Sequence, residues 1–297
     1  MSPKADDDPK HARRAATLLV CCDDRPGLVA VLAQTLFAHG VNLLDADQHT
    51  DAEAAKFFQR IRFDWEAGAS LDPLETIGAA LAPVADEHGM SWTLHDEARR
   101  ARVAIFVSRF DHCLYDLLLR HRAGELVCDI PLIVSNHEVL RPVAEQFGIP
   151  FFVTPVTKET KAEAELRQLG LIDEHGVDLI VLARYMQILS AGFVARHPAR
   201  IINIHHSFLP AFQGGRPYHQ AHERGVKLIG ATAHYATTDL DEGPIIDQDV
   251  MRVSHRDDVR DLVRKGRDVE RNVLSRAVRS HLEHRVLVYD NKTVVFD

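Results

Sequence analysis

Cysteine is scarce in this chain, and no two cysteines are spaced as a metal-binding or redox pair. The four are Cys21, Cys22, Cys113 and Cys128. Adjacent Cys21 and Cys22 lie in an apolar run, so they read as reduced, buried thiols rather than a disulfide framework or a zinc site. No apolar stretch approaches the roughly 20 residues that a membrane-spanning helix needs, which argues against a membrane protein of that kind. The first residues, Met1 to Arg14, are polar and charged with no apolar core, so they read as a disordered lead-in rather than a signal peptide. The cytoplasm is the expected compartment. Excess positive charge is missing too: Lys and Arg total 35 against 43 Asp and Glu, a formal net charge of −8. That argues against a wide nucleic-acid footprint. There is no internal repeat, no low-complexity tract and no HExxH. His219 and His222 stand three apart on an expected helix with His234 beyond, a spacing too loose for a zinc site, and no metal is expected.

What is present is a chain of 297 residues, 46% hydrophobic and 26% charged, enough for two domains with a core each. The first is expected over residues 15–96. Thr17 to Cys22 reads as a strand and Asp23 to Gly27 as a turn. Leu28 to His39 reads as a helix, with Leu28, Val31, Leu32 and Leu36 at helical spacing and Gly40 as its stop. Strands at 41–48 and 56–65, a helix at 71–88 despite Pro83, and a strand at 91–95 complete βαββαβ, the ferredoxin-like order. Glu97 to Ala101 reads as a linker. The second domain, residues 102–297, alternates strands (102–108, 131–135, 151–153, 178–183) with helices (113–122, 139–147, 159–175). Such alternation implies a doubly wound, mostly parallel sheet. Helix 218–223, strands 230–235 and 245–251 and a long helix 257–282 follow the strand that contains Asn203.

That strand sits in the run Arg200-Ile-Ile-Asn203-Ile-His205-His206-Ser-Phe-Leu-Pro210, where three isoleucines give way to polar chemistry at the C-terminal end. Open parallel sheets bind ligands beyond the carboxyl ends of their strands. Asn203 and His205, two apart, point to the same side, whereas His206 is expected to face away. Downstream, Asp239-Leu-Asp241-Glu-Gly243-Pro244 offers a carboxylate on a loop, suited to orienting or charging an imidazole. Taken singly, each piece has an ordinary reading: a satisfied histidine at a strand end, and a turn-forming aspartate.

The runs Asn203 to Pro210 and Leu240 to Pro244 together resemble the folate-dependent formyltransferase fold, a family that includes glycinamide ribonucleotide transformylase, methionyl-tRNA formyltransferase and formyltetrahydrofolate deformylase. The run Leu182-Ala-Arg-Tyr-Met-Gln-Ile-Leu189, with Arg216-Pro-Tyr-His-Gln-Ala221, is most similar to the deformylase branch. The resemblance implies a catalytic trio of Asn203, His205 and Asp241. It implies folate binding along Arg184, Tyr185, Met186, Gln187, Ile188 and Leu189, with Thr237, Asp239 and Gly243 on the facing loop. Read without it, Met186, Ile188 and Leu189 would be core residues at the start of a helix. The implied substrate is 10-formyltetrahydrofolate, with no cofactor, and the products are formate and tetrahydrofolate, feeding purine and one-carbon metabolism. Either His205 or Asp241 would take the proton from water.

The segment Asp24-Arg25-Pro26-Gly27, with Gly40-Val-Asn42, makes the first domain resemble an ACT domain. The resemblance implies pairing across subunits, giving a homodimer or homotetramer, and an amino-acid effector near Asp24, Gly27 and Asn42. The alternative is that it makes dimers only. A transferase needs a second substrate, and in the ribonucleotide transformylase a glycine-rich loop after the first strand cradles its phosphate. Here that loop reads Ser108-Arg-Phe-Asp-His-Cys113, with no glycine, a bulky Phe110 and an anion-repelling Asp111. Water is therefore the expected acceptor. Arg109 keeps a transferase with an unusual acceptor open. A catalytically silent amino-acid-binding regulator is the third reading, against which the intact trio argues.

Overall fold

The computed structural model describes residues 13–66, 73–211 and 217–297. The chain divides into two compact units, the first reaching to Arg99 and taking in Val294–Asp297, the second spanning Arg100–Thr293.

The first unit is built from β1 (Arg13–Asp23), α1 (Leu28–Phe37), β2 (Asn42–Asp51), β3 (Lys56–Glu66), α2 (Pro73–His88) and β4 (Ser91–Asp96). The strands form an antiparallel sheet in the order β2-β3-β1-β4. Alternation decides the faces: Ala16, Leu18, Val20 and Cys22 of β1 and Ile61, Phe63 and Trp65 of β3 join Leu28, Leu32 and Leu36 of α1 and Ile77 and Leu81 of α2 in one core. Each such aliphatic side chain contributes about 1.5–3 kcal/mol by leaving water. The strand begins earlier than the sequence suggests. Arg13 and Arg14, expected in the lead-in, pair with Glu66 and Trp65, and their guanidiniums bind Asp64 and Asp96. The rest of the lead-in, like Leu71 at the expected start of α2, lies outside the described residues. Glu97, expected in the linker, accepts two hydrogen bonds from Arg62, at 2.7 and 2.8 Å.

The second unit contains β5 (Ala101–Val107), α3 (His112–Arg122), β6 (Cys128–Ser135), α4 (Arg141–Gln146), β7 (Phe151–Val153), α5 (Lys161–Glu174), β8 (Leu179–Leu182), α6 (Ala191–Ala195), β9 (Ile201–His205), α7 (Pro217–Arg224), β10 (Leu228–Tyr235), β11 (Ile245–Arg252) and α8 (Val259–Leu282). A hairpin of β12 (Val286–Tyr289) and β13 (Lys292–Val295) ends the chain. Seven strands form one sheet in the order β11-β10-β9-β8-β5-β6-β7. The run from β9 to β7 is parallel, and β10 and β11 are antiparallel additions. Strand order reverses between β5 and β8, where such sheets open a crevice. The expected helix at 139–147 is split into a 3₁₀ turn at Glu138–Leu140 and the short α4, because Pro142 fits only a first helical turn. Helix α8 opens with a capping box between Asp258 and Asp261 and packs Leu262, Val269, Val273, Leu274, Ala277 and Val278 inward.

Candidate active site

Asn203 and His205 project from β9 into a cavity of about 330 Å³, walled by residues 184–189 after β8 and by residues 236–241 after β10. Asp241 reaches across from the second wall. Its carboxylate lies 3.2 Å from His205 Nδ1 and 3.7 Å from His234 Nε2. The first distance is a hydrogen bond to the carboxylate; the second is too long for one. Burial opposes ionisation of Asp241, but the hydrogen bond from His205 and the proximity of His234 win and hold its carboxyl well below the usual carboxylate range.

With His205 Nδ1 donating to Asp241, its other nitrogen is decisive. His205 Nε2 is buried and has no hydrogen-bond partner among the described residues. A buried imidazole nitrogen without a partner carries a penalty of about 1–3 kcal/mol, which a ligand atom would remove. Asn203 is oriented by His234. The Asn203 amide Nδ2 donates to His234 Nε2 at 3.1 Å, and His234 Nδ1 donates to the Tyr235 carbonyl at 3.0 Å. His234, considered above only as a metal ligand, thus belongs to the site. Its partners in that reading, His219 and His222, are exposed on α7. Asp241 and Arg184 both have left-handed backbones (φ 58° and 64°), a conformation that costs a non-glycine residue about 1–3 kcal/mol and clusters at functional sites.

Each folate-binding residue expected from the sequence can now be placed. Residues 184–189 form an irregular loop, not the start of a helix, and Met186 and Ile188 leave 52% and 61% of their surface exposed. The loop is tied to the end of β5, since the Met186 amide donates to Ser108 Oγ at 2.9 Å. Tyr185 differs: its ring is buried edge-on against Phe106, and its hydroxyl accepts from Gln168 at 2.9 Å, so its side chain serves the core. Gln187, Leu189, Thr237 and Asp239 line the cavity, with the Thr237 hydroxyl donating to the Asp239 carbonyl. Gly243 does not line it. A Cβ there would meet the Tyr235 carbonyl oxygen at 1.8 Å, so this glycine allows two backbones to touch. His206 was expected to face away, but β9 ends at His205 and the turn swings its ring to 5.2 Å from that of His205, on the cavity wall. Burial, reinforced by the Arg184 charge, pushes its pKa down to about 3.

Behind the cavity stands a second cluster that sequence reasoning missed. Glu270 of α8 accepts from His112 Nε2 at 2.8 Å and Tyr218 Oη at 2.5 Å, and lies 3.4 Å from Arg184 Nη1. Burial opposes its ionisation, yet His112, Arg184 and Tyr218 together hold its pKa below the usual value. His112, Cys113 and Glu270 lie close enough to share a metal ion. The carboxylate, however, is already engaged by Arg184 and Tyr218, and burial pushes the Cys113 thiol far up, so the set is poorly suited to a cation.

In the first unit, Asp24 and Gly27 share the turn before α1, where the Asp24 amide donates to Ala55 and Gly27 has φ 95°. Asn42, on the edge strand β2, donates to Asp64 at 3.1 Å.

Beyond the C-terminal ends of β8 and β9 the cavity thus sets an amide and an imidazole side by side, with a carboxylate behind the imidazole. Residues 101–278 match the family described as formyl transferase. A formyltetrahydrofolate deformylase of Synechocystis sp. is 55% identical over 281 residues, covering 95% of this chain and 98% of that protein. The crystal structure of a formyltetrahydrofolate deformylase from Pseudomonas syringae superposes with a TM-score of 0.92 at 48% identity, covering 96% of this chain and 95% of that one. A glycinamide ribonucleotide transformylase from Symbiobacterium toebii matches 69% of this chain, 98% of its own, with a TM-score of 0.64 and 28% identity. The chain belongs to the formyl transferase family and, within it, to the formyltetrahydrofolate deformylases.

Proposed function

We propose that the cavity hydrolyses 10-formyltetrahydrofolate to formate and tetrahydrofolate, with Asn203, His205 and Asp241 as the catalytic groups. The observation that carries this is the His205 ring, anchored to Asp241 through Nδ1 with Nε2 buried and unpartnered beside the Asn203 amide. The formyl group is an N-aryl formamide. Water attacks its carbon, the carbonyl electrons move to oxygen, and the C–N10 bond then breaks as N10 takes a proton. Asn203, as a hydrogen-bond donor at the developing oxyanion, stabilises the transition state more than the substrate; such a donor is worth about 100- to 1000-fold in rate.

The proton route follows from the charges. Asp241, held well below the carboxylate range, is a weak base at neutral pH. This supports a reading in which it stays ionised and fixes the imidazole, while His205 Nε2 takes the proton from water and returns it to N10. Met186, Ile188 and Leu189 would cover the faces of the pteridine, with backbone groups of residues 184–189 and 237–239 reading its edge.

The reaction needs no cofactor. The first unit would act as an ACT-like regulatory domain, pairing subunits into a dimer or tetramer and holding an amino-acid effector near Asp24 and Gly27. The cytoplasm, where the folate pool lies, is the compartment this reading requires. Among the described residues no helix is long and apolar enough to cross a membrane. The test is to incubate the purified protein with 10-formyltetrahydrofolate in buffer alone. Formate equal to the tetrahydrofolate formed is the expected result; tight folate binding without formate would reject hydrolysis.

A further inference from the structure

The catalytic cavity has a neighbour. An open groove of about 850 Å³ runs along α3 and α8, lined by Asp111, His112 and Arg267 among others. Groove and cavity are linked through one cluster of side chains. Phe110 is held between two cations, with the Arg184 guanidinium 4.9 Å and that of Arg267 5.9 Å from its ring centre. Arg184 lines the cavity and His112 lines the groove, and Glu270 grips both.

The cluster is built at a cost that a passive partition would not carry. Arg184 is buried with a left-handed backbone, where glycine would be unstrained. Its Nε and Nη1 are buried without hydrogen bonds, the 3.4 Å approach to Glu270 being an ion pair rather than a good hydrogen bond. Glu270 itself is 1% exposed and anchored from two further elements by His112 and Tyr218. A guanidinium so fixed cannot swing aside, because leaving would strand a buried carboxylate without its permanent countercharge.

Resting on the hydrolytic reading above, we propose that Arg184, braced by Glu270 and Phe110, is the specificity-determining residue that reserves the formyl group for water. It closes the cavity toward the groove, so water reaches the formyl carbon and an amine approaching from the groove does not. With the wall removed, an amine nitrogen bonds to the formyl carbon as C–N10 breaks. One amine proton passes to N10, giving a formamide and tetrahydrofolate in place of formate and tetrahydrofolate.

The test compares the wild-type protein with Arg184→Gly and Phe110→Ala, each given 10-formyltetrahydrofolate and a large excess of glycinamide. Formate and N-formylglycinamide are both quantified against an enzyme-free control. The wild type should yield formate as nearly its whole product, with N-formylglycinamide a trace share. Arg184→Gly should raise the share of N-formylglycinamide by about 10- to 100-fold, the discrimination that a filled or emptied pocket typically gives, with Phe110→Ala moving the same way by less. Should Arg184→Gly fail to fold, Arg184→Gly with Glu270→Gln removes both buried charges and carries the same test. Folded variants that bind folate yet keep the wild-type product ratio overturn the proposal. Absence of formate from the wild type in buffer alone would instead be a failure of the hydrolytic reading.

Discussion

Asp241 and Glu270 are both acidic groups that hold a histidine, and the difference between them separates catalysis from architecture. Glu270 has a permanent countercharge in Arg184 as well as donors from His112 and Tyr218. Asp241 has only imidazoles, His205 at 3.2 Å and His234 at 3.7 Å. A carboxylate balanced by a guanidinium keeps its charge whatever its neighbours do, because arginine does not titrate in the working range. A carboxylate held by imidazoles instead orients groups that can themselves donate and accept protons. On the proposed reading, the first arrangement fixes a wall and the second serves the reaction.

Substitutions at the two acids should separate these roles. Asp241→Asn should reduce turnover about 100- to 10,000-fold, the range of general acid–base contributions, with folate binding retained. Steady-state kinetics beside a binding titration would check it, and surviving turnover would remove Asp241 from the mechanism. Glu270→Gln should instead act on stability, by about 3–5 kcal/mol, since it leaves the Arg184 guanidinium buried without its partner; denaturant unfolding gives the number.

Acid should expose a third difference. The pKa of His206 is depressed to about 3 from the ordinary 6.5 of an imidazole. Between those values the unfolded chain binds a proton that the folded protein does not, so stability falls as pH drops through this window, by at most about 1.4 kcal/mol per pH unit. His206→Gln should flatten that slope in a pH series of unfolding curves. Asp241, also depressed, from an ordinary 3.8, contributes stability that is fully present above that unfolded value and is lost progressively as the pH falls toward its lower folded value. The smallest effect is expected at the cavity mouth. Ile188→Ser should raise KM by about a fewfold with kcat and unfolding unchanged, because this side chain loses little water until the folate arrives.

Much of this site could be read from the sequence, for identifiable reasons. Asn203 and His205 fall on a strand whose alternation fixes their common side, and the polar loop after β10 carries the acid. His234 escaped because its place depends on register: it sits opposite Asn203 only once β10 is paired antiparallel to β9. Spacing along the chain contains no such information. Glu270 escaped because a charged residue in a long helix reads as solvated, although it shares the buried stripe of Leu262, Gly266, Val273 and Ala277. Gly266 on that stripe was the clue: a Cβ there would meet Tyr218 Oη at 2.0 Å, so the missing side chain is what lets the tyrosine reach Glu270. His206 was misplaced because β9 stops one residue before it. The closing hairpin has a signal of its own, Asp290-Asn291 standing between the strands Val286–Tyr289 and Lys292–Val295.

Gly243 does not line the cavity, yet it governs how far the acid can reach. It is two residues from Asp241, and its backbone lies so near the Tyr235 carbonyl that even a methyl group would have to displace the loop. The hydrogen bond from His205 is already 3.2 Å long, so a further shift of about half an ångström would break it. Alanine at 243 would therefore silence the enzyme from outside the cavity. A survey of tolerated substitutions should find this position as intolerant as the catalytic carboxylate whose reach it sets.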